Sequence, residues 1–351
     1  MYIKKAIKKF IQLFLYKVPQ PIVKRKTSFF ANQISKRKLF KIAKFGDLNP
    51  DKIFYIIKRD PGAGMFSNFV YIMNHLRIAY FHDFIPYVDM EKWPSWYSEN
   101  EPINNTMNSW EYYFDQVCEY SSEEIYQSKN IIITRNDFYS DFSKDLSDDS
   151  IFKIIFKKYI KIKDHISKEA DDYINKNFKD KKVIGIYLRG GECRRMPNHG
   201  MPPTKKQIEY QINSIIKKNN FDLIFLSTKE IDYINIFKKS YQKQLNTYDS
   251  FKDQKDCFQI YPRKNHRYLL GKEIIVEMLI LSKLQNLTYN LSNVSAMSLF
   301  FNLNPKQDRY FLDNGTNCNN KFLAQIYWYI KYLLPEFLGG FKKNILKKKS
   351  T

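Results

Sequence analysis

Short apolar segments, each typical of a β-strand, alternate with helical segments along this sequence and restrict its fold more than any other feature. In the first half, an apolar strand over 52–59 is followed by the loop PGAGMFSN over 61–68, a helical pattern over 68–83 and a second strand over 85–90. A strand, a glycine-containing turn, a helix and a second strand in this order are typical of a parallel sheet.

A second series of the same kind occupies the later half of the chain. Its strands are expected over 183–189, 221–228 and 287–292, and a helical segment follows each of them. Two such series predict an α/β protein with two Rossmann-like domains that face each other across a cleft. We place these domains at 51–175 and 176–340.

Both ends of the chain are expected to be basic appendages. Residues 1–50 show no clear strand pattern. Residues 341–351 form a basic tail, which would either add electrostatic attraction to an anionic membrane or be a frayed chain end. The segment MYIKKAIKKFIQLFLYK predicts a helix with an apolar face opposite a lysine face. The apolar face would contain Ile3, Ile7, Phe10, Ile11 and Phe14, and the basic face Lys4, Lys5, Lys8 and Lys9.

This amphipathic pattern is typical of a helix that lies in the interface of an anionic membrane, although a helix packed on the protein surface would show it too. Lysines interrupt the segment throughout and no small-residue cleavage site follows, which argues against a signal peptide. No stretch reaches the roughly 18 apolar residues of a spanning helix. The expected location is therefore cytoplasmic, peripheral on the inner face of the cell membrane.

The net charge of +22 favours anionic partners, namely nucleic acid, phosphorylated substrates or an acidic membrane surface. A genome biased toward Lys, Asn and Ile codons would produce part of the same excess without a partner. Four cysteines, Cys118, Cys193, Cys257 and Cys318, form no CxxC pair and show no metal-ligand spacing with His. We therefore expect free thiols in a reducing cytosol, and neither a metal nor a cofactor.

Unusual polar groups follow four of the predicted strands, where ligands bind in open α/β sheets. After the first strand, Gly62 and Gly64 allow close backbone approach, and Asn68 follows at the next helix start; an ordinary tight turn would show the same glycines. At the second junction, Arg189 is suited to clamp a phosphate and is followed by Gly190, Gly191 and Glu192.

His199 lies downstream in a proline-rich loop and is a candidate to reach the cleft, although a lone histidine is more often structural. The third junction contains Thr228, Lys229 and Glu230 just past a strand. At the fourth, a helix opens with serines whose hydroxyls and neighbouring N–H groups suit phosphate oxygens, although capping would account for one serine. Its candidate residues are Ser292, Asn293, Val294 and Ser295.

This chain of motifs resembles the C-terminal half of the GT-B fucosyltransferases. That group contains nodulation-factor and N-glycan core α-1,6-fucosyltransferases and protein O-fucosyltransferases. The family motif HxRRTDK, or H-x-R-G-T-D, stands here as YLRGGEC over 187–193, and the family's LATDD as LSTKE over 226–230. The family's helix, strand and serine motif matches 273–302, and its N-terminal glycine loop matches 61–80.

The resemblance implies that Arg189 binds the GDP diphosphate and the sugar, with Glu192 where the family has Asp. It places Thr228, Lys229 and Glu230, together with Ser292, Asn293 and Val294, at the nucleotide and its phosphates. Three positions depart from the family pattern: Tyr187 replaces its His, Cys193 its Lys and Lys229 its first Asp of the TDD run.

The implied function is transfer of fucose from GDP-fucose to a glycan acceptor, a surface polysaccharide or a lipid-linked oligosaccharide. The mechanism would be an inverting displacement without metal, with Glu192 or His199 as base. The N-terminal domain would bind the acceptor, with Trp93, Trp96 and Trp110 stacking on sugar rings or packing in the core.

Three other functions stay open at this point. The three departures leave room for another nucleotide-sugar donor and for a non-catalytic, membrane-associated protein with a decayed site. The charge would suit a nucleic-acid-binding protein, but no motif of that kind occurs, and the lysine clusters lie at the termini rather than among the aromatic residues. We therefore expect no nucleic-acid partner.

Overall fold

The structure of the chain, a computed structural model, describes residues 40–134, 150–252, 257–302 and 306–349. It divides into two units, Met1–Lys163 and Asp164–Thr351. Each unit is built around a sheet whose central strands are parallel, so the predicted α/β class is confirmed. The expected N-terminal helix lies outside the described residues. The arrangement of two domains across a cleft stays a prediction.

The first unit contains a four-stranded sheet and one long helix. Its elements are β1 Phe40–Ala43, β2 Phe54–Ile57, α1 Met65–His82, β3 Ile85–Val88, α2 Ser122–Ile125, β4 Ile131–Thr134 and α3 Ser150–Tyr159. The sheet order is β1-β4-β2-β3, with β2 parallel to both of its neighbours. Every residue of β2 is buried, as expected for a central strand covered on both faces.

Strand β1 corrects the expectation that residues 1–50 contain no strand. Phe40–Ala43 pairs antiparallel with β4 and forms the edge of the sheet. Four residues are too few to produce a clear alternation in the sequence, and the pairing partner lies about 90 residues further along the chain.

The second unit has a six-stranded sheet in the order β10-β9-β8-β5-β6-β7. Its elements up to the sheet centre are α4 Asp164–Phe178, β5 Val183–Tyr187, α5 (Lys205–Gln207, the π-helical Ile208–Ile212 and Asn213–Asn219), β6 Leu223–Ser227, α6 Ile231–Tyr241 and β7 Leu245–Asn246. The remaining elements are α7 His266–Lys283, β8 Asn286–Asn290, α8 Asn293–Phe300, β9 Asp308–Leu312, α9 Lys321–Leu333 and β10 Leu346–Lys349.

The parallel strands of this sheet have a doubly wound order. From the centre, β5, β6 and β7 follow one another toward one edge, whereas β8 and β9 lie on the other side of β5. The winding direction therefore reverses between β5 and β8. In an open α/β sheet, the carboxyl ends of the two strands at such a switch point border the ligand-binding crevice.

The core of the second unit lies between this sheet and helices α5 and α6. Ile184, Ile186 and Leu226 of the central strands pack against Ile212 of α5 and Phe237 of α6, all of them buried. On another side of the unit, α4 packs against α7, and Lys272 pairs with Glu169 at 2.9 Å. These contacts place α4 in the second unit, so the expected domain boundary after residue 175 corrects to the one after Lys163.

The basic C-terminus also differs from the expectation of a tail. Leu346–Lys349 forms β10, which pairs antiparallel with β9 and covers that edge of the sheet. Ile345, just before it, is buried in the core. Among the described residues, no helix combines the length and the apolar character needed to cross a membrane.

Candidate functional site

Arg189 lies at the switch point, two residues after the end of β5, and its backbone is bound by Asn290 at the end of β8. The Arg189 N–H donates to Asn290 Oδ1 over 2.9 Å, and Asn290 Nδ2 donates to the Arg189 carbonyl over 2.8 Å. Asn290 is buried and Arg189 half-buried, so these bonds are partly shielded from water. The two strand ends and the guanidinium-bearing residue are therefore fixed relative to one another.

The turn after β8 begins helix α8 with a capping box. Ser292 Oγ accepts the N–H groups of Val294 and Ser295 over 3.1 and 3.3 Å, and the Ser292 N–H donates to Ser295 Oγ over 3.1 Å. Capping therefore accounts for both serines, which corrects the expectation that their hydroxyls and these N–H groups are free for phosphate. The N–H of Asn293, the first helical residue, takes no part in the box.

Tyr187, the last residue of β5, links Arg189 to this turn. Burial raises the pKa of Tyr187 to about 12, and the charge of Arg189 and a hydrogen bond with the Ser292 side chain keep that pKa from rising further. The phenol therefore stays protonated at neutral pH. It is suited to donate or accept a hydrogen bond here rather than to act as a base.

Gly190 is required where the chain, three residues after the end of β5, passes the buried side chain of Glu230. A Cβ atom on Gly190 would lie 2.6 Å from Glu230 Cγ, closer than side-chain carbons approach. Glu230 Oε2 in turn lies 3.2 Å from Arg194 Nη2. Gly191 and Arg194 begin and end a single 3₁₀ turn that also contains Glu192, whose side chain lies outside the described part of the structure.

Of the three residues predicted to bind the donor after β6, Glu230 instead pairs with Arg194. Thr228 is buried, and its Oγ1 accepts the Glu230 N–H over 3.1 Å, which shapes the turn after β6. Lys229 between them is exposed. Of these three candidates, Lys229 is therefore the one that presents a charged group to solvent beside the carboxyl end of β6.

The loop that contains His199 lies next to the end of β8. A Cβ atom on Gly200 would come within 2.7 Å of Leu291 Cβ, so this loop packs directly against the residue before Ser292. His199 itself is exposed, and its Nδ1 lies 2.8 Å from the Pro197 carbonyl. If Nδ1 carries the proton for that bond, Nε2 is left as an acceptor at the same edge as Arg189.

Two buried glutamates of α7 hold a basic loop at this edge, a feature that the sequence reasoning missed. Glu277 Oε1 lies 2.9 Å from Lys252 Nζ, and Glu277 Oε2 accepts the hydroxyl of Ser227, the last residue of β6. One helical turn earlier, Glu273 Oε1 lies 2.5 Å from Arg263 Nη1. The i, i+4 spacing of the glutamates was visible in the sequence, but their partners on the loop were not.

The glycine loop over 61–68 belongs to the first unit. Gly62 precedes Gly64, the N-cap of α1, and the Met65 N–H donates to the Tyr97 hydroxyl over 2.8 Å. Asn68 is buried and accepts from Arg59 Nη1 over 3.2 Å. In this unit Asn68 therefore stabilises the start of α1; its predicted contact with the donor stays a prediction.

The three tryptophans predicted to stack on sugar differ in their surroundings. Trp110 is buried and stacks on Phe114 with ring centroids 4.2 Å apart, so the alternative of core packing is the correct one for it. Trp93 packs at the edge of the core with Lys58 over its ring. Trp96 is exposed and stays a candidate for acceptor contact.

The cysteine thiols are free, as predicted, in all four cases. Within the described ranges, no group of three or more His, Cys, Asp or Glu side chains is placed to hold a metal ion. Metal independence stays a prediction about the reaction.

Comparison with known proteins found no matching family model and no matching curated protein. The structure is similar to that of the NodZ α-1,6-fucosyltransferase soaked with GDP-fucose, at 12% identity and a TM-score of 0.46, over 75% of this chain and 96% of that one. A second NodZ structure, from Bradyrhizobium, gives 12% identity and a TM-score of 0.44 over 75% and 96%. POFUT1 in complex with GDP gives 11% and 0.42 over 72% and 95%.

These solved structures come from the group of fucosyltransferases that the sequence motifs resemble. At such identities and TM-scores, the function of this chain has to be argued from its own residues.

Proposed function

We propose that this chain is a glycosyltransferase that transfers fucose from GDP-fucose to a hydroxyl of a glycan acceptor. The observation that carries the proposal is the position of Arg189 at the switch point of a doubly wound sheet, where its backbone is held by Asn290. An arginine whose backbone is held at this point is suited to pair with a diphosphate through its guanidinium. GDP-fucose is the donor that the motif resemblance implies.

In the proposed reaction, the acceptor oxygen forms a bond to the anomeric carbon of the sugar while the bond from that carbon to the β-phosphate oxygen breaks. The electron pair of the broken bond stays on the diphosphate, and the configuration at the carbon inverts. Arg189 would stabilise the charge that grows on the leaving group, a role that needs no metal ion. The N–H of Asn293, the first residue of α8, would add a hydrogen bond to the leaving group.

The acceptor hydroxyl loses its proton to a base during this displacement. His199, with Nε2 as acceptor, and Glu192 on the turn after Arg189 are the two candidates. Tyr187 is excluded as base at neutral pH because its pKa is about 12. The acceptor would be a surface polysaccharide or a lipid-linked oligosaccharide at the cytoplasmic face of the membrane, bound by the first unit.

The test is a thermal-shift panel of GDP, UDP and CMP with and without EDTA, followed by a transfer assay with GDP-fucose. Wild-type chain should be stabilised by GDP regardless of EDTA. The Arg189→Ala variant should lose the GDP response and about 10²–10³-fold of transfer activity while keeping its melting temperature without ligand.

Arg309→Ala is the matched control, since Arg309 lies near the amino end of β9, at the opposite edge of the sheet. It removes the same charge and should keep both GDP response and turnover. Stabilisation by UDP or CMP instead of GDP would mean that the donor carries that nucleotide, and the proposed glycosyl transfer would stand. No nucleotide response together with salt-sensitive DNA binding would overturn the proposal in favour of a nucleic-acid-binding protein.

A further inference from the structure

Helix α9 and the turn after it expose a continuous set of large apolar side chains on the second unit. Phe322, Leu333 and Phe337 have 87%, 81% and 85% of their surface accessible. With them, the face consists of Leu323, Ile326, Ile330 and Leu338, all exposed. Residues 322, 326, 330 and 333 share one side of a helix. Single exposed apolar residues are common on proteins, but a contiguous group of this size marks a contact surface.

The opposite side of α9 is anchored to the unit. Trp328 is buried, and its Nε1 donates to the Pro202 carbonyl over 3.0 Å. Its ring stacks on Tyr332 and lies 5.2 Å from the Arg194 guanidinium. Because these contacts attach one side of α9 to the unit, the opposite, apolar side stays exposed to solvent.

The charge around this face is strongly positive. Residues 321–349 contain seven lysines and a single acidic residue, Glu336. Lys342 and Lys343 follow the turn and are exposed, and Lys331 lies over the ring of Phe341. A face of this kind is complementary to a surface that is apolar within and anionic outside, which describes a bilayer with acidic headgroups.

The length of α9 fixes how it would meet such a bilayer. Its 13 residues span about 20 Å, less than the roughly 30 Å of a hydrocarbon core. The helix is therefore suited to lie in the plane of the interface. Tyr327, partly exposed beside the apolar face, is a residue type that favours the headgroup level.

We propose that the α9 face binds the surface of an anionic lipid bilayer. A second copy of the chain fits this face less well, because a symmetric contact would bring Lys331, Lys342 and Lys343 toward their own counterparts. This surface differs from the N-terminal helix predicted from the sequence, and it does not depend on the proposed transfer reaction.

The test is co-sedimentation of the full-length chain with vesicles of phosphatidylcholine containing about one third phosphatidylglycerol, beside vesicles of phosphatidylcholine only. Wild-type chain should bind the anionic vesicles, and the double variant Phe322→Ser/Phe337→Ser should bind them at least about tenfold more weakly. The variant Lys342→Gln/Lys343→Gln should lose most of the preference for anionic vesicles. Ile154→Ser/Ile231→Ser is the matched control, since both residues are exposed apolar residues outside this face.

If the Phe322→Ser/Phe337→Ser chain binds the vesicles as strongly as the wild-type chain, the membrane contact lies elsewhere and the proposal is overturned. A wild-type chain that binds no vesicle, or an equal loss in the control, would also overturn it. Analytical ultracentrifugation adds the remaining outcome: a dimer that dissociates in the phenylalanine variant, without vesicle binding, would assign the face to a second copy.

Discussion

The Asn290 side chain forms two hydrogen bonds with the backbone of Arg189: it accepts from the arginine N–H over 2.9 Å and donates to the arginine carbonyl over 2.8 Å. The two residues are 101 positions apart, and the contact joins the two strands at the switch point. In the proposed transfer reaction, Asn290 contacts no reacting atom. It is a positioning residue that acts through the arginine.

Asn290→Ala should therefore weaken GDP binding by about tenfold, because the guanidinium loses its fixed backbone, and should cost about 1–3 kcal/mol in free energy of unfolding. Calorimetry of GDP binding to Asn290→Ala, Arg189→Ala and the double variant separates the two effects. If Asn290 acts through Arg189, its loss should change GDP affinity little once the guanidinium is gone. Additive losses would show that Asn290 affects the nucleotide independently.

Gly190→Ala should destabilise the second unit by about 1–3 kcal/mol, because the new methyl group would collide with the Glu230 side chain. The collision also displaces the carboxylate from Arg194. In the background of Glu230→Ala, which removes the colliding carbon, the same glycine substitution should cost much less. Urea unfolding of the four chains measures the coupling, and equal costs in both backgrounds would contradict the close approach.

Tyr187→Phe should lower kcat/KM by about tenfold by removing the hydroxyl that bonds Ser292 beside Arg189. It should not move the pH dependence of kcat/KM between pH 6 and about 10, because the tyrosine, with a pKa of about 12, titrates above that range. A His199→Gln chain offers the contrast. If His199 is the base, kcat should fall by about 10²-fold or more in that variant, well beyond the effect of Tyr187→Phe.

The central strands of both sheets were predictable because their apolar residues form short runs that end in polar or glycine-containing turns. The break between helices α3 and α4 was not predictable. There α3 ends at Tyr159 and α4 begins at Asp164, while Ile162 pairs with Phe114 in a β-bridge. Alternating Ile and Lys over 160–163 fits a helix as well as an extended segment, and only the tertiary partner decides.

For the candidate site, the sequence placed the chemical groups but not their partners. Arg189 was predicted to bind phosphate from its position after a strand, whereas the role of Asn290 depends on knowing that β5 and β8 are neighbours. Ser292 and Ser295 were expected to face phosphate, but local capping engages them. Helix α9 was not predicted, because apolar residues occupy both its buried and its exposed side.

Two buried histidines of the first unit should make it sensitive to acid. Burial lowers the pKa of His75 to about 3, with Arg59 adding to the effect, and lowers that of His82 to about 4. Well above pH 6.5 both are neutral in the folded and the unfolded chain. Below it the unfolded chain takes up protons that the folded chain does not, so the free energy of unfolding falls with pH.

At pH 5 each histidine should contribute about 2 kcal/mol of this loss. Urea unfolding of wild-type chain and His82→Gln at pH 7.5 and pH 5 tests the sign and the size. The variant should lose about 2 kcal/mol less than wild type over that interval, because carboxylates titrate alike in both chains. An equal loss in both chains would mean that His82 is protonated as readily in the folded state as in the unfolded one.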